Sequence, residues 1–231
     1  LDRDLNNVEL GMFSQTWSDH SKHTSTNADI YIDGIKKPSI MTRIKETSFR
    51  FPEKITKAFE TNAGEIPLFG GWIITAKGET HNWPVSLDPY PVALTKVGGI
   101  YRDHEAEGAI NLFGVNINCF APPDMPMDQL PKGRLHPDYL LRNNFYGERD
   151  YGNRMGIPTV ASTLFFDPGF RANVVSLGVS FGIMPESRVK VEEPEVGDLV
   201  ISVGGKTGKD GIGGATKSSM VSTDKTIVTG A

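Results

Sequence analysis

Residues 175–183 constrain the fold more than any other stretch of the chain. Val175, Leu177, Val179, Phe181 and Ile183 alternate strictly with Ser176, Gly178, Ser180 and Gly182. A period of two marks a β-strand with two different faces. The second face carries nothing larger than a hydroxymethyl group, so the helix or sheet that covers it must approach the backbone closely. The same periodicity predicts strands beginning at Trp72, over 112–120 and from Thr159 to Phe166, with a last strand from Leu199 to Val203. Ile30-Tyr31-Ile32 and Ile40-Met41 read as short strand pieces around an Asp33-Gly34 turn.

Helices are expected between the strands. Residues 5–17 place Val8, Phe13 and Trp17 near one helical face, with Asn6 or Asn7 as cap and Glu9 favoured in the first turn. Pro52 suits the start of a helix through Phe59 that ends at Asn62-Ala63-Gly64, and Pro137 opens one that ends near Gly152 or Gly156. Leu87-Asp88-Pro89-Tyr90-Pro91 reads as an extended, kinked connection, and 185–197 as a linker.

Composition bounds the function. A net charge of −4 over 231 residues offers no basic field, so nucleic acid is not an expected partner. No apolar run reaches membrane-span length, and the Leu1-Asp2-Arg3-Asp4 start is not a signal peptide. The single cysteine, Cys119, allows no intrachain disulfide framework and fits a reducing cytoplasm. It falls on the apolar side of a strand, as a buried structural thiol would.

Chemistry concentrates in Lys77-Gly78-Glu79-Thr80-His81-Asn82-Trp83-Pro84, where a cation, a carboxylate, a hydroxyl, an imidazole and a carboxamide follow an apolar strand. Pro84 is expected to end regular hydrogen bonding there. Glu79 and Asp103 are hard oxygen ligands of the kind Mg²⁺ takes beside nucleotide phosphates. Lys77, Lys96 and Arg102 can neutralise phosphate charge, and His81 can accept or donate a proton near neutral pH. The Gly98-Gly99 pair, placed ahead of a helix, can bring backbone amides to phosphate. So can the run from Gly204 to Gly214, which holds Gly204, Gly205, Lys206, Gly208, Gly211, Gly213 and Gly214. That run lacks the Walker spacing. His20 and His23, three apart beside Asp19, read first as a polar, solvated helix terminus; an anion-facing helix end or a metal site is the alternative, the metal weaker because no third His or Cys lies nearby at ligand spacing. From the residues alone this reads as ATP-dependent phosphoryl transfer without a P-loop. Because the chain stops at Ala231 soon after the glycine run, it reads as one piece of a larger assembly.

Five motifs occur in one order: Trp17-Ser18-Asp19-His20-Ser21-Lys22-His23; Glu79-Thr80-His81-Asn82-x-Pro84; Gly98-Gly99-x-x-Arg102-Asp103; Tyr151 to Thr159; and Gly204 to Thr216. Together they resemble the synthetase part of phosphoribosylformylglycinamidine synthase, over nearly the whole chain. The resemblance implies an α/β (α+β) fold of the aminoimidazole ribonucleotide synthetase superfamily, with a mixed or antiparallel sheet flanked by helices. On that scheme residues 1–190 form the N-terminal domain, which pairs with a second synthetase-type domain through its sheet, and 191–231 begin a C-terminal α/β domain. It implies a cytoplasmic ligase of purine biosynthesis that phosphorylates the amide oxygen of formylglycinamide ribonucleotide with MgATP. Ammonia from a glutaminase domain or subunit then displaces phosphate to give the amidine.

By motif, His20 and His81 match catalytic positions, with His81 the proton acceptor. His23 and Lys77 match ATP contacts, while Thr80, His81, Asn82, Trp83 and Arg102 match substrate contacts. Glu79 and Asp103 match Mg²⁺ ligands. The chain departs from the family at Asp19 and Ser21, at Trp83, and at Pro91-Val92-Ala93-Leu94-Thr95-Lys96, where the family is glycine-rich. Those departures keep open an assembly or regulatory subunit without catalysis, and another ATP-dependent enzyme of the superfamily.

Overall fold

The computed structural model describes residues 3–189, 194–206, 208 and 223. The described residues of Leu1–Thr47 and Lys190–Val221 form one compact unit, and those of Ser48–Val189 and Ser222–Ala231 form a second.

The first unit begins with α1 (Asn7–Trp17), where Asn6 and Glu9 form the expected capping box, each side chain serving the other residue's backbone. None of its residues is buried. Short helices α2 (Asp19–Lys22) and α3 (Thr24–Asn27) follow, separated by His23 in the left-handed conformation. The Asp33-Gly34 turn, with both φ angles positive, joins β1 (Ile30–Ile32) to β2 (Ile35–Lys37) in antiparallel register. Ile40-Met41 is not a strand piece. It opens α4 (Ile40–Phe49), because the Ser39 hydroxyl accepts from the Thr42 amide and supplies a helix start. Residues 199–203, expected as a strand, pair with no ladder among the described residues, and their apolar side chains are exposed.

The second unit carries a mixed five-stranded sheet in the order β3-β4-β7-β5-β6. These strands are β3 (Gly64–Pro67), β4 (Trp72–Thr80), β5 (Ile110–Phe120), β6 (Thr159–Phe166) and β7 (Val175–Pro185). All neighbours are antiparallel except the β5–β6 pair. No helix fills Pro52–Phe59. Only a 3-10 turn, Pro52–Lys54, forms, because Thr56 and Lys57 hydrogen-bond through their backbones to Glu65, and Gly64 opens β3 rather than ending a helix.

Three helices, α5 (Asn82–Leu87), α6 (Pro89–Ala106) and α7 (Pro137–Met155), complete the unit. The 87–91 segment is therefore not an extended connection. Pro84, Pro89 and Pro91 all sit in first turns, where a missing amide hydrogen leaves no bond unmade. Gly98-Gly99 likewise forms no phosphate loop ahead of a helix but lies inside α6. Close packing overrides the poor helical propensity of the pair. A Cβ on Gly98 would stand 2.6 Å from both Arg102 Nη1 and the Tyr151 ring, and one on Gly99 3.0 Å from Glu79 Oε2. Helix α7 ends as expected at Gly156, with φ of 69°.

The small face of β7 is where α6 packs. A side chain at Gly182 would strike Thr75 Oγ1 and the His104 ring, and one at Gly178 would press on Ile100 and Lys96. Buried positions along β5 and β7 are consequently Gly114, Asn116, Asn118 and Phe120, and Ser176, Gly178, Ser180 and Gly182. The apolar sets that alternate with them are only half-buried. Cys119 is among them, and so is not the fully buried thiol expected.

Candidate functional site

The chemistry-bearing stretch leaves the end of β4, and strand alternation divides its side chains. In the register with β7, Lys77 stands opposite Ser180 and Glu79 opposite Gly178, so both point to the helix-covered face. Thr80 stands opposite Leu177 on the other face and is exposed. The structure thus brings Lys77 and Glu79 together with α6 and leaves Thr80 apart from them.

Helix α6 meets the two strand residues one turn apart. Lys77 Nζ pairs with Asp103 Oδ2 at 2.8 Å, both side chains about four-fifths buried. Glu79 reaches the groove above Gly99 and accepts from His81 Nε2 at 2.7 Å. The other His81 ring nitrogen lies 3.3 Å from the Val92 carbonyl, and the His81 amide donates to Ser176 O at 3.0 Å, so ring and backbone are both held. Asn82 Oδ1 accepts from the Ser176 amide at 3.0 Å, which fixes the turn between β4 and α5. Trp83, half-buried, lies under the Arg134 guanidinium at 4.7 Å from the ring centroid. Arg102 is exposed, folds back over Gly98 and donates to the Tyr151 hydroxyl at 3.2 Å.

Lys96 is not available to a phosphate. It is fully buried and donates to Glu148 Oε1 at 2.5 Å and to Ser176 Oγ at 2.8 Å. Burial pushes its pKa down against the opposing pull of Glu148. Asn118 donates to Glu148 Oε2, Asn144 donates to Glu148 Oε1 and Asn118 Oδ1, and Ser176 donates to Asn144 Oδ1. The glycine-poor run at 91–96 is thus the first part of a helix whose lysine is consumed inside. Sequence reasoning missed Glu148, Asn144, Asn118 and Ser176. The usable signal is polar residues at i and i+4 on α7 and at i and i+2 on β5, each on a face that must be buried.

Two carboxylates on facing elements, Glu79 and Asp103, supply hard oxygens suited to Mg²⁺. Among the described residues no cluster of three or more His, Cys, Asp or Glu side chains is placed to hold a metal. Each carboxylate already has a protein partner, Lys77 for Asp103 and His81 for Glu79, so a cation held there would have to take its other ligands from phosphate and water, as Mg²⁺ can. His20, on α2, and His23 belong to the first unit and are exposed, with neighbouring Asp19 accepting from the Ser25 amide and hydroxyl. Of the glycine run, Gly204, Gly205, Lys206 and Gly208 are described and exposed, while Gly211, Gly213 and Gly214 lie outside the described residues. No helix among the described residues is long and apolar enough to cross a membrane.

Residues 1–23 match the profile of the formylglycinamide ribonucleotide amidotransferase linker domain. The chain is 34% identical over 220 residues to phosphoribosylformylglycinamidine synthase subunit PurL of Sulfurimonas denitrificans, covering 95% of this chain and 27% of that protein. It is 32% identical over 215 residues to the PurL subunit of Thermus thermophilus, covering 93% and 26%. The chain therefore spans about a quarter of the length of these curated relatives. Among solved structures it resembles Thermotoga maritima PurL complexed with FGAR, with a TM-score of 0.55 and 25% identity over 80% of this chain and 25% of that one. It resembles the same protein complexed with ATP at a TM-score of 0.53 and 25% identity, over 80% and 26%. The α/β fold with a mixed sheet flanked by helices is common to them.

Proposed function

Because the chain belongs to the PurL family of phosphoribosylformylglycinamidine synthases, a quarter of whose length it spans, we propose that it carries part of an ATP-dependent formylglycinamide ribonucleotide site. The observation that supports this is the facing of β4 and α6, where Lys77 pairs with Asp103 and, one helical turn along, Glu79 lies over Gly99 and pairs with His81.

In the proposed reaction the amide oxygen of formylglycinamide ribonucleotide attacks the γ-phosphorus of ATP, and ADP leaves. Ammonia then adds to the activated carbon, loses a proton, and expels phosphate to leave the amidine. Lys77, with Arg102 swung away from Tyr151, faces charge on the transferred phosphoryl group. His81, neutral and with one ring nitrogen released from Glu79 or from the Val92 carbonyl as substrate enters, takes the proton from the attacking nitrogen on that freed nitrogen. Glu79 and Asp103 would hold Mg²⁺, which neutralises phosphate charge when bound. Asn82, Trp83 and Arg102 contact the substrate in this reading. His23 as an ATP contact, His20 as a catalytic residue and Thr80 as a substrate contact rest on the resemblance alone, as does the phosphate loop from Gly204 to Gly214.

The remaining assignments are of the same standing. Residues 1–190 belong to the N-terminal synthetase-type domain and 191–231 begin the next one. A glutaminase domain or subunit supplies the ammonia, and the protein works in the cytoplasm. A second synthetase-type domain covers the open sheet face, where Val115, Ile117, Leu177, Val179 and Phe181 are half-buried beside exposed Phe165. So continuous an apolar surface is what a sheet-to-sheet partner requires.

The test is formation of the amidine from formylglycinamide ribonucleotide, MgATP and an ammonia source, with the remaining PurL-type domains supplied. Turnover that falls at least 100-fold in His81→Ala is the expected result. No turnover in the parent, or a His81→Ala protein that matches it, overturns the reading.

A further inference from the structure

Ser176 joins two parts of the molecule that the proposed chemistry leaves separate. Its carbonyl accepts from the His81 amide at 3.0 Å, and its amide donates to Asn82 Oδ1 at 3.0 Å. Its hydroxyl accepts from Lys96 Nζ at 2.8 Å and donates to Asn144 Oδ1 at 2.8 Å. The first pair of bonds holds the turn bearing His81 and Asn82. The second pair ties the same residue into the buried assembly of Lys96, Glu148, Asn144 and Asn118. Every member of that assembly is at most 3% exposed, and each polar group named has a partner.

A buried ion pair of this kind is weak evidence of a role in stability, because apolar side chains of similar volume usually serve as well. Its effect is better sought in what it fixes. Ser176 lies near the open end of the β4–β7 ladder, one residue beyond the last paired position, Thr80 with Leu177. A strand end frays unless tied down. On its β5 side this end stays paired, Ser176 opposite Asn118 and Val175 opposite Cys119; on the β4 side, where the ladder has ended, the further tie is the serine side chain, clamped from α6 by Lys96 and from α7 by Asn144.

We propose that Lys96 and Glu148 are positioning residues: through the Ser176 hydroxyl they hold the end of β7, and thereby the backbone of His81 and the side chain of Asn82. Neither touches substrate. Lys96 Nζ is held in place by Glu148 and Asn144 Nδ2 by both Glu148 and Asn118, so the clamp is rigid from both sides. The inference rests on the synthetase reading only for what is positioned, a reacting group. The clamp itself stands on hydrogen bonds.

The test is amide hydrogen exchange, read residue by residue, in the parent, in Ser176→Ala and in the double variant Lys96→Met/Glu148→Leu. The double variant removes both charges together and so keeps the unit folded even where Lys96→Met alone does not. In both variants the His81 and Ser176 amides are expected to exchange at least 10-fold faster. The amides of Ile73 and Met184, at the far end of the same ladder, should keep their parent rates. A merely structural role would speed all four together. Parent-like protection of His81 and Ser176 in the double variant, or uniform loss across the four, overturns the proposal. With the remaining domains supplied, turnover in the double variant is expected to fall about 10-fold through kcat, with KM for the ribonucleotide within a factor of about 2. A parent without turnover whose variants show the local exchange pattern would sink the synthetase reading and leave the clamp standing. An active parent whose variants show no local change would do the reverse.

Discussion

The two faces of the five-stranded sheet invert the usual rule. On one face Asn116, Asn118, Ser176, Ser180 and Thr75 are buried beneath α6 and α7. On the other, Val115, Ile117, Val179, Leu177 and Phe181 are only half covered. At its centre the covered face is small and polar because α6 comes close there and the polar groups satisfy one another, while Ile73, Phe120 and Met184 are buried towards its ends. The open face is apolar and only half covered by the described residues of its own unit. On the proposed reading the difference separates two jobs: the covered face would orient groups that react, and the open face would offer area to a partner.

The largest expected effect is on the covered face. Lys96→Met alone leaves Glu148 charged and unpaired in the interior, so the unit is expected to lose about 4 kcal/mol in a denaturant titration. A loss below about 1 kcal/mol would break the contrast between the faces. Gly147→Ala comes next. Its Cβ would meet the Tyr90 carbonyl and the Leu94 amide of α6, both backbone. The two helices must part, at a cost of about 3 kcal/mol. Val179→Asn, on the open face, is expected to cost under about 1 kcal/mol, and association through this face, read by sedimentation, should weaken instead. A large stability loss there with unchanged association would reverse the assignment.

A gain rather than a loss is expected at Glu65, on β3. Its carboxylate is buried, and neither oxygen has a hydrogen-bond partner among the described residues, although Lys57 Nζ stands 3.5 Å away. Burial, reinforced by Glu107, pushes its pKa up from 4.5 against the pull of Lys57. A raised carboxyl value means that the folded state binds the proton more tightly than the unfolded chain. The stability this gives is complete below pH 4.5 and is lost as pH rises through the folded value. Glu65→Gln should therefore be about 1 kcal/mol more stable than the parent at pH 7.5, with the gap closing towards pH 4.5. A gap that widens on acidification would contradict the sign.

Much of this is legible in the residues themselves. Alternation over 175–183 implies both the strand and the close approach of a covering helix or sheet, and Lys77 and Glu79 of β4 fall where strand and helix meet, with Thr80 on the other face. Local signals mislead at three places: the apolar pair at 40–41 is outweighed by capping by Ser39, the Pro52 helix start by bridging to Glu65, and the proline-rich 87–91 run is helical because its prolines sit in a first turn. Gly98-Gly99 suggests a loop because single-residue propensity knows nothing of Tyr151, Arg102 or Glu79 packed against it. The Lys96 clamp is invisible in the sequence because the bonds that close it span 26 to 80 residues of chain. Only the topology brings those residues together.

The central claim is that the covered face, where β4 meets α6, carries the chemistry. Its most direct test is ADP release dependent on formylglycinamide ribonucleotide, with the remaining PurL-type domains supplied, in the parent and in Glu79→Gln. This substitution keeps the side chain's shape and removes the charge that aligns His81. The account predicts a loss of at least 100-fold with the fold intact. Turnover within about 3-fold of the parent would contradict it.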